Sequence, residues 1–374
     1  MAQTIIGLND AKAIKKWSGD LAVDTARKSY FNKKFMGVGQ DASMPIQLLT
    51  HLENDAGEQI TYDLSLQLKM APVEGDAVMA GQEEDLKFYT DNLYIDQARA
   101  GVNTGGRMTR KRTLHDLRAI AKSRQSEWWA RMFDEQFFMY LSGARGANLD
   151  FIFPTNYSGR ANNTLVVAPD AEHLLLPTLA GGAVATKATL TVAETLDLKM
   201  IEKAMARATM MGGGITGTPQ IQPIMIDGEE HYVLVINPWQ EYDLRTSVTT
   251  GGWLDIQKAL TTSDGKASNI FKGGCGVHNN VVIQTHKAAI RFTDYGASAN
   301  VNATRALFMG EQAAVCAFGS AGTGMRFDWH EELQDRGNQV VINTSSIFGI
   351  KKTRFNSKDF GVISVDTAAK DPTI

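Results

Sequence analysis

Two consecutive stretches decide how this chain is read: Gly57–Met70, GEQITYDLSLQLKM, and Gly75–Val102, GDAVMAGQEEDLKFYTDNLYIDQARAGV. In the first, Ile60, Tyr62, Leu64, Leu66 and Leu68 alternate with polar residues, the period of a strand with one buried face. The spacing predicts a strand from Gln59 to Lys69, about 36 Å long at roughly 3.3 Å per residue. Pro72, Gly75 and Gly81 mark a tip, and LKFYTDNLYIDQ returns. A two-stranded ribbon is marginal in water and needs a surface to lie on. The expected surface is another copy of the same chain.

Charge supports this, because it is segregated along the sequence. Residues 1–40 hold seven bases, among them Lys12, Lys15, Lys16, Arg27 and Lys28, against three acids. Residues 53–96 hold eleven acids, including Glu74, Asp76, Glu83, Glu84 and Asp85, opposed only by Lys69 and Lys87. Residues 107–124 then carry Arg107, Arg110, Lys111, Arg112, Arg118, Lys122 and Arg124 against Asp116. Single charge runs are usually solvated faces, but three blocks of alternating sign suit complementary docking surfaces.

Around the ribbon, 374 residues allow two or three cores at roughly 100–200 residues each. Residues 1–50 give short helical patterns broken by Gly19, Gly37, Gly39 and Pro45, and are expected to form an arm held by something else. Thr113–Leu141 is the strongest element, a helix with Leu114, Leu117, Ala121, Trp128 and Met132 at three- and four-residue steps and Trp129, Phe133 and Phe137 on an adjoining face. Thr113 with Asp116 resembles a capping box, and Ser142-Gly143 is a stop. Arg110, Lys111 and Arg112 then crowd the helix N-terminus, where the macrodipole disfavours cations, which hints at an anionic partner. Leu196–Met211 reads as a second amphipathic helix. IQPIMIDGEEHYVLVINPWQEYDLRT reads as strand, Asp-Gly turn, buried strand, Pro238 and short helix.

Catalytic and cofactor patterns fail on their context. GGGITG, Gly212–Gly217, fits a dinucleotide motif in letters but follows a helix and leads to a strand, the reverse of what a pyrophosphate site needs. HEEL at His330 lacks a second ligand, SDGKAS lacks the earlier glycine of a phosphate loop, and no GxSxG occurs. Glu83 and Glu84, adjacent on a strand, point to opposite faces and cannot share acid–base work. Cys275 and Cys316 form no CxxC pair and fit core positions in a reducing compartment, without structural zinc. MAQTIIGLNDAKAIKKW lacks a signal-peptide pattern and no apolar run reaches about 18 residues. A soluble chain made in a cytoplasm is expected, with no cofactor, no metal and no membrane.

The ordered features resemble the major capsid proteins of tailed phages with the Hong Kong 97 (HK97) fold, an α+β architecture. The carrying stretches are GDAVMAGQEEDLKFYTDNLYIDQARAGV, EWWARMFDEQFFMYLSGARG, YVLVINPWQEYDLR and GIKKTRFNSKDFGVISVDT. Their wording is closest to the coat proteins of the coliphage N-four-like group, from about residue 20 to the C-terminus. The resemblance implies an N-terminal arm (1–55), an extended loop hairpin (56–104), a peripheral domain with a long spine helix (105–188), an axial domain (189–326) and C-terminal strands returning to the peripheral domain (327–374). It implies homo-hexamers and homo-pentamers in a closed icosahedral shell around double-stranded DNA. A separate scaffolding protein, a portal and a decoration protein are its further partners. The protein would reside in the virion, and in the host cytoplasm during assembly.

On this reading the hairpin contributes Leu64, Leu66, Leu68, Lys69, Glu74, Asp76, Glu83, Glu84 and Asp85 to a subunit interface. Arg107 to Arg124 form the basic counter-surface, with packaged DNA as the alternative partner of that block and of the basic arm. Lys69 has no nameable partner for a lysine–asparagine cross-link, so cross-linking is not expected. An encapsulin-type compartment and a soluble α/β enzyme are the rival readings.

Overall fold

The computed structural model describes residues 11–39, 43–53, 57–65, 70–76, 78–86, 88–160, 162–165, 168–179, 181–211, 219–226, 228–247, 276–320 and 325–372. Two sheets organise them. The first joins Met36–Val38, Ile46–Leu49, Ala314–Gly319, Gln339–Lys352, Phe327–Gln334 and Asp96–Asn103. Gln339–Lys352, 14 residues long, is its axis. One edge pairs with Ala314–Gly319 and then Phe327–Gln334, and the other takes Asp96–Asn103 in antiparallel register. The second sheet centres on Glu229–Ile236 and Val301–Met309, with Val281–Thr285 and Val362–Ala368 outside them.

The spine helix runs from Leu117 to Ser142, about 39 Å at roughly 1.5 Å per residue. Asp116 caps it by accepting from the amides of Arg118 and Ala119, and Gly143, at φ 68°, ends it in the left-handed conformation that glycine adopts without strain. Trp129, Phe133 and Phe137 bury their rings against the first sheet, and Trp129 Nε1 donates to Thr344 Oγ1 at 2.9 Å. The start differs from the expected Thr113. Residues Arg107–Arg112 form a separate short helix with Thr113 as its C-cap. The basic triplet therefore sits at a helix C-terminus, which favours cations, and the expected conflict with the macrodipole disappears. Leu114 falls in the link between the helices and is fully exposed, not part of the core stripe.

The N-terminal segment also departs from its expected role. Helix Ala11–Lys28 packs on the spine helix, and Leu21, Phe31, Phe35, Ile46 and Leu48 join the same core as Trp129. The periodicity at 1–50 was too short and interrupted to show that this segment completes the body of its own subunit. The sheets also divide the chain differently from a boundary at 326/327. Ala314–Gly319 already belongs to the first sheet, and Val362–Ala368 returns to the second, where it pairs with Val301–Met309.

Asp134 fastens the arm to the spine helix. Its carboxylate accepts from Ser29 Oγ (2.7 Å), Tyr30 N (2.9 Å) and Phe31 N (3.2 Å), yet burial pushes its pKa up to about 6. His286 stacks on Phe138 and against Tyr30, and its Nδ1 accepts from Ala288 N. Burial, with Lys287 and Lys34 nearby, lowers its pKa to about 4. The two groups oppose each other. The folded state favours protonated Asp134, a contribution lost as pH rises from about 4 to 6; it disfavours charged His286, a contribution lost as pH falls from about 6.5 to 4. Removing the imidazole should leave only the first. The melting temperature of His286→Phe relative to the unsubstituted protein is expected to climb as pH falls from about 7 to 4.5. A difference independent of pH would refute this balance.

Candidate assembly interface

The hairpin is more firmly rooted in its own subunit than its sequence suggested. Gln59–Ser65 pairs with Phe88–Tyr94, seven residues each; the remainder of the strand expected to Lys69 falls on residues 66–69, outside the described residues. Leu66, Leu68 and Lys69 lie outside the described residues, and Leu64 is half-buried. Ile60, Tyr62 and Leu93 pack on Leu49, Leu52, Val315, Ala317, Phe355 and Phe360 of the same chain. The alternating face is thus covered at its root by its own subunit, which corrects the expectation that a neighbour covers all of it.

The tip is different. Val78, Met79, Leu86 and Phe88 are exposed there, interleaved with exposed Glu74, Asp76, Glu83 and Asp85. Two carboxylates shape the turn: Gly81 N donates to Glu83 Oε2 at 2.7 Å, and Met70 N to Glu84 Oε2 at 2.8 Å. Backbone N–H groups at Glu83 and Gly81 hold the Glu83 carboxyl below the usual carboxylate range. Apolar surface clustered and rimmed by like charge marks a contact site better than scattered exposed leucines do.

A second uncovered surface lies where the spine helix begins. The inner face of the first sheet continues past the helix, so Leu333 stands exposed opposite Val340 in the ladder. Val340 and Ile342 line a cavity of about 360 Å³ with Thr104, Arg110, Arg118 and Glu331. Met108 on the short helix, Leu114 in the link and Ile120 in the first spine turn are exposed on the same stretch of chain that supplies Arg110 and Arg118 to it. This notch combines apolar floor and basic rim.

The seven predicted bases divide between structure and surface. Arg118 reaches Glu331 through Nε at 2.7 Å and Nη2 at 2.6 Å, and Glu331 also accepts from Trp329 Nε1. Lys122 pairs with Asp20 at 3.0 Å, Arg124 with Glu127 at 2.8 Å, and Arg110 Nη2 donates to Asn338 O. Arg107, Lys111 and Arg112 have exposed side chains on the short helix. In the arm, Lys28 donates to Ser126 Oγ at 2.6 Å and Arg27 is exposed. Lys12, Lys15 and Lys16 lie on helix Ala11–Lys28, but their side chains fall outside the described residues.

Sequence reading missed the apolar half of the notch, because Leu114 follows the helical spacing and Leu333 sits in an ordinary strand pattern. Only the break of the helix at Thr113 separates them from the core. Among the described residues no group of three or more His, Cys, Asp and Glu side chains could hold a metal ion. Cys316 is buried, with its thiol pushed up to about 12 by burial; Cys275, Gly212–Gly217 and the SDGKAS stretch lie outside the described residues.

Comparison with known proteins gives a consistent result. A family model described as phage capsid protein matches residues 5–371. The capsid of Ralstonia phage GP4 is 48% identical, with a TM-score of 0.83 over 99% of each chain. The major capsid protein of Pseudomonas phage KPP25 is 26% identical over 92% of each sequence. The capsid of cyanophage Pam1 shares the fold at 19% identity, with a TM-score of 0.71 over 92% of this chain and 94% of that one.

Proposed function

The chain belongs to the phage capsid protein family, and from that premise we propose how its copies close a shell: the hairpin tip of one subunit seats in the notch of the next. The protein is a major capsid subunit of HK97-like fold, building an icosahedral shell. The observation that carries the contact is the match between two uncovered surfaces. Exposed Val78, Met79, Leu86 and Phe88 among acids meet exposed Met108, Leu114, Ile120 and Leu333 among Arg107, Lys111 and Arg112. Burying both apolar sets drives association, and the opposite charges fix register and exclude wrong pairings.

In the finer reading, capsomers are hexamers and pentamers, with the second sheet toward their centres. Packaged double-stranded DNA touches the basic arm without sequence preference, and a scaffolding protein and portal act during assembly in the host cytoplasm. The wording of the four carrying stretches supports a place in the coliphage N-four-like group. A structural role, with no catalysis, follows from the family.

Electron microscopy of the purified protein tests the reading. Empty shells are expected; small oligomers alone would overturn it, and shells filled with host enzyme would point to an encapsulin-type compartment. Charged rims are screened over about 8 Å at physiological ionic strength, so raising salt should slow shell formation, measured by light scattering. Salt-independent assembly would leave the apolar contacts as the whole of the docking.

A further inference from the structure

Building on that reading, we propose that the loop after the spine helix, through Asn163, fixes the direction in which the hairpin leaves the body, so that each subunit aims its own docking arm before a neighbour arrives.

The need for such a device follows from the pairing. Phe88–Tyr94 pairs with Gln59–Ser65, whereas Asp96–Asn103 pairs with Gln339–Lys352. The strand changes partners across the single residue Ile95. Neither ladder by itself sets the angle between its two halves, and a small error there becomes a large displacement at the tip.

Asn163 meets that need. It is 3% exposed, and its side chain takes both backbone groups of Tyr94. Tyr94 N donates to Asn163 Oδ1 at 3.1 Å, and Asn163 Nδ2 donates to Tyr94 O at 2.7 Å. A primary amide offers a donor and an acceptor side by side, as a neighbouring strand would, so it continues the ladder by one residue. The loop is itself anchored to the spine helix: Tyr140 Oη accepts from Arg160 N at 3.1 Å and donates to Asn163 O at 3.3 Å. Arg160 also donates to Asp96 O and lies over the Phe348 ring. Across the junction, a Cβ at Gly349 would come within 2.1 Å of Tyr94 O, so the two backbones touch there. Further out, Lys351 Nζ holds Asp91 Oδ1 and Asn92 O.

A hairpin ordered at its root loses less conformational freedom on docking, which strengthens assembly without adding contact area. The alternative is that Asn163 only satisfies two buried backbone groups. Two substitutions at this position distinguish them. Asn163→Ala removes both hydrogen bonds. In Asn163→Asp the carboxylate still accepts from Tyr94 N but repels Tyr94 O; protonation restores a donor.

The experiment uses the full chain. Threshold concentration for shells is read by light scattering, shell diameter by electron microscopy, and amide exchange of residues 88–95 in the unassembled subunit. Asn163→Ala is expected to raise the threshold about tenfold, spread the diameters and speed exchange at 88–95. Asn163→Asp should behave likewise at neutral pH and recover toward the unsubstituted protein as pH falls toward about 4, where Asn163→Ala does not. Wild-type thresholds and diameters in both variants would overturn the clamp, as would loosened exchange without any change in assembly. If Asn163→Ala fails to fold, Lys351→Met must shift the threshold in the same direction, and an unchanged threshold overturns the proposal. Absence of shells from unsubstituted protein would instead count against the capsid reading, while exchange at 88–95 still reports on the clamp.

Discussion

Leu114→Asp is expected to leave the subunit folded and to abolish closed shells. The Leu114 side chain is fully exposed in the link between the short helix and the spine helix, so its replacement removes nothing from the core. Surface changes of this kind stay within about 0.5 kcal/mol of the parent stability. In the shell the same residue would be covered by a neighbour's tip, where burying a leucine contributes roughly 2 kcal/mol. The new carboxylate would also face Glu74, Asp76, Glu83 and Asp85. Because the contact recurs at every subunit, a loss of this size moves the assembly threshold beyond usable concentrations. An unchanged melting temperature with no shells in the microscope is the predicted pair of results; wild-type shell yield would remove the notch from the interface. Glu83→Lys combined with Glu84→Lys should cripple assembly from the opposite side.

Asp366→Ala should have the largest effect on the subunit itself. Arg305, 6% exposed on Val301–Met309, is held by Asp366 through Nε and Nη2, each at 2.6 Å, and donates from Nη1 to Ser142 O at the end of the spine helix. Tyr295 Oη donates to Asp366 Oδ2 at 2.6 Å, and burial beside that carboxylate raises the phenol well above its ordinary range. The network ties the second sheet to the helix that packs on the first. Removing the carboxylate strands a guanidinium in an apolar interior, a loss of about 3–5 kcal/mol. Chemical denaturation should show a drop of that order. Arg305→Met with Asp366→Leu should recover most of it, because replacing both charges with apolar groups leaves nothing unpaired. A double variant as unstable as Asp366→Ala would show that the bond to Ser142 matters more than the charge.

What could be read ahead of the structure followed local periodicity. The spine helix, helix Leu198–Met210 and helix Pro238–Thr246 announce themselves through apolar spacing and through Gly143 and Pro238 at their ends, whereas the Asp197 cap and the Asn237 capping box show only in the structure. The ribbon was legible as a ribbon from its alternation, and its tip as acidic from composition. The helical period at Leu114 misled, because apolar spacing persists through a link where the backbone has already left the helix. Basic residues 107–124 looked like one surface; Arg118, Lys122 and Arg124 instead close ion pairs with residues distant or adjacent in sequence, a choice that depends on which acids the fold brings near.

By itself the sequence determined the main helices, the alternating charge of three successive blocks and a ribbon with one apolar face, since each rests on interactions between residues a few positions apart. Tertiary structure alone decided which part of the hairpin its own body covers, where Leu114 and Leu333 are left in the open, and that Asn163 grips Tyr94 across 69 residues of chain. The physical reason is that burial and hydrogen-bond partnership are set by which distant segments pack together, and no local pattern records that choice.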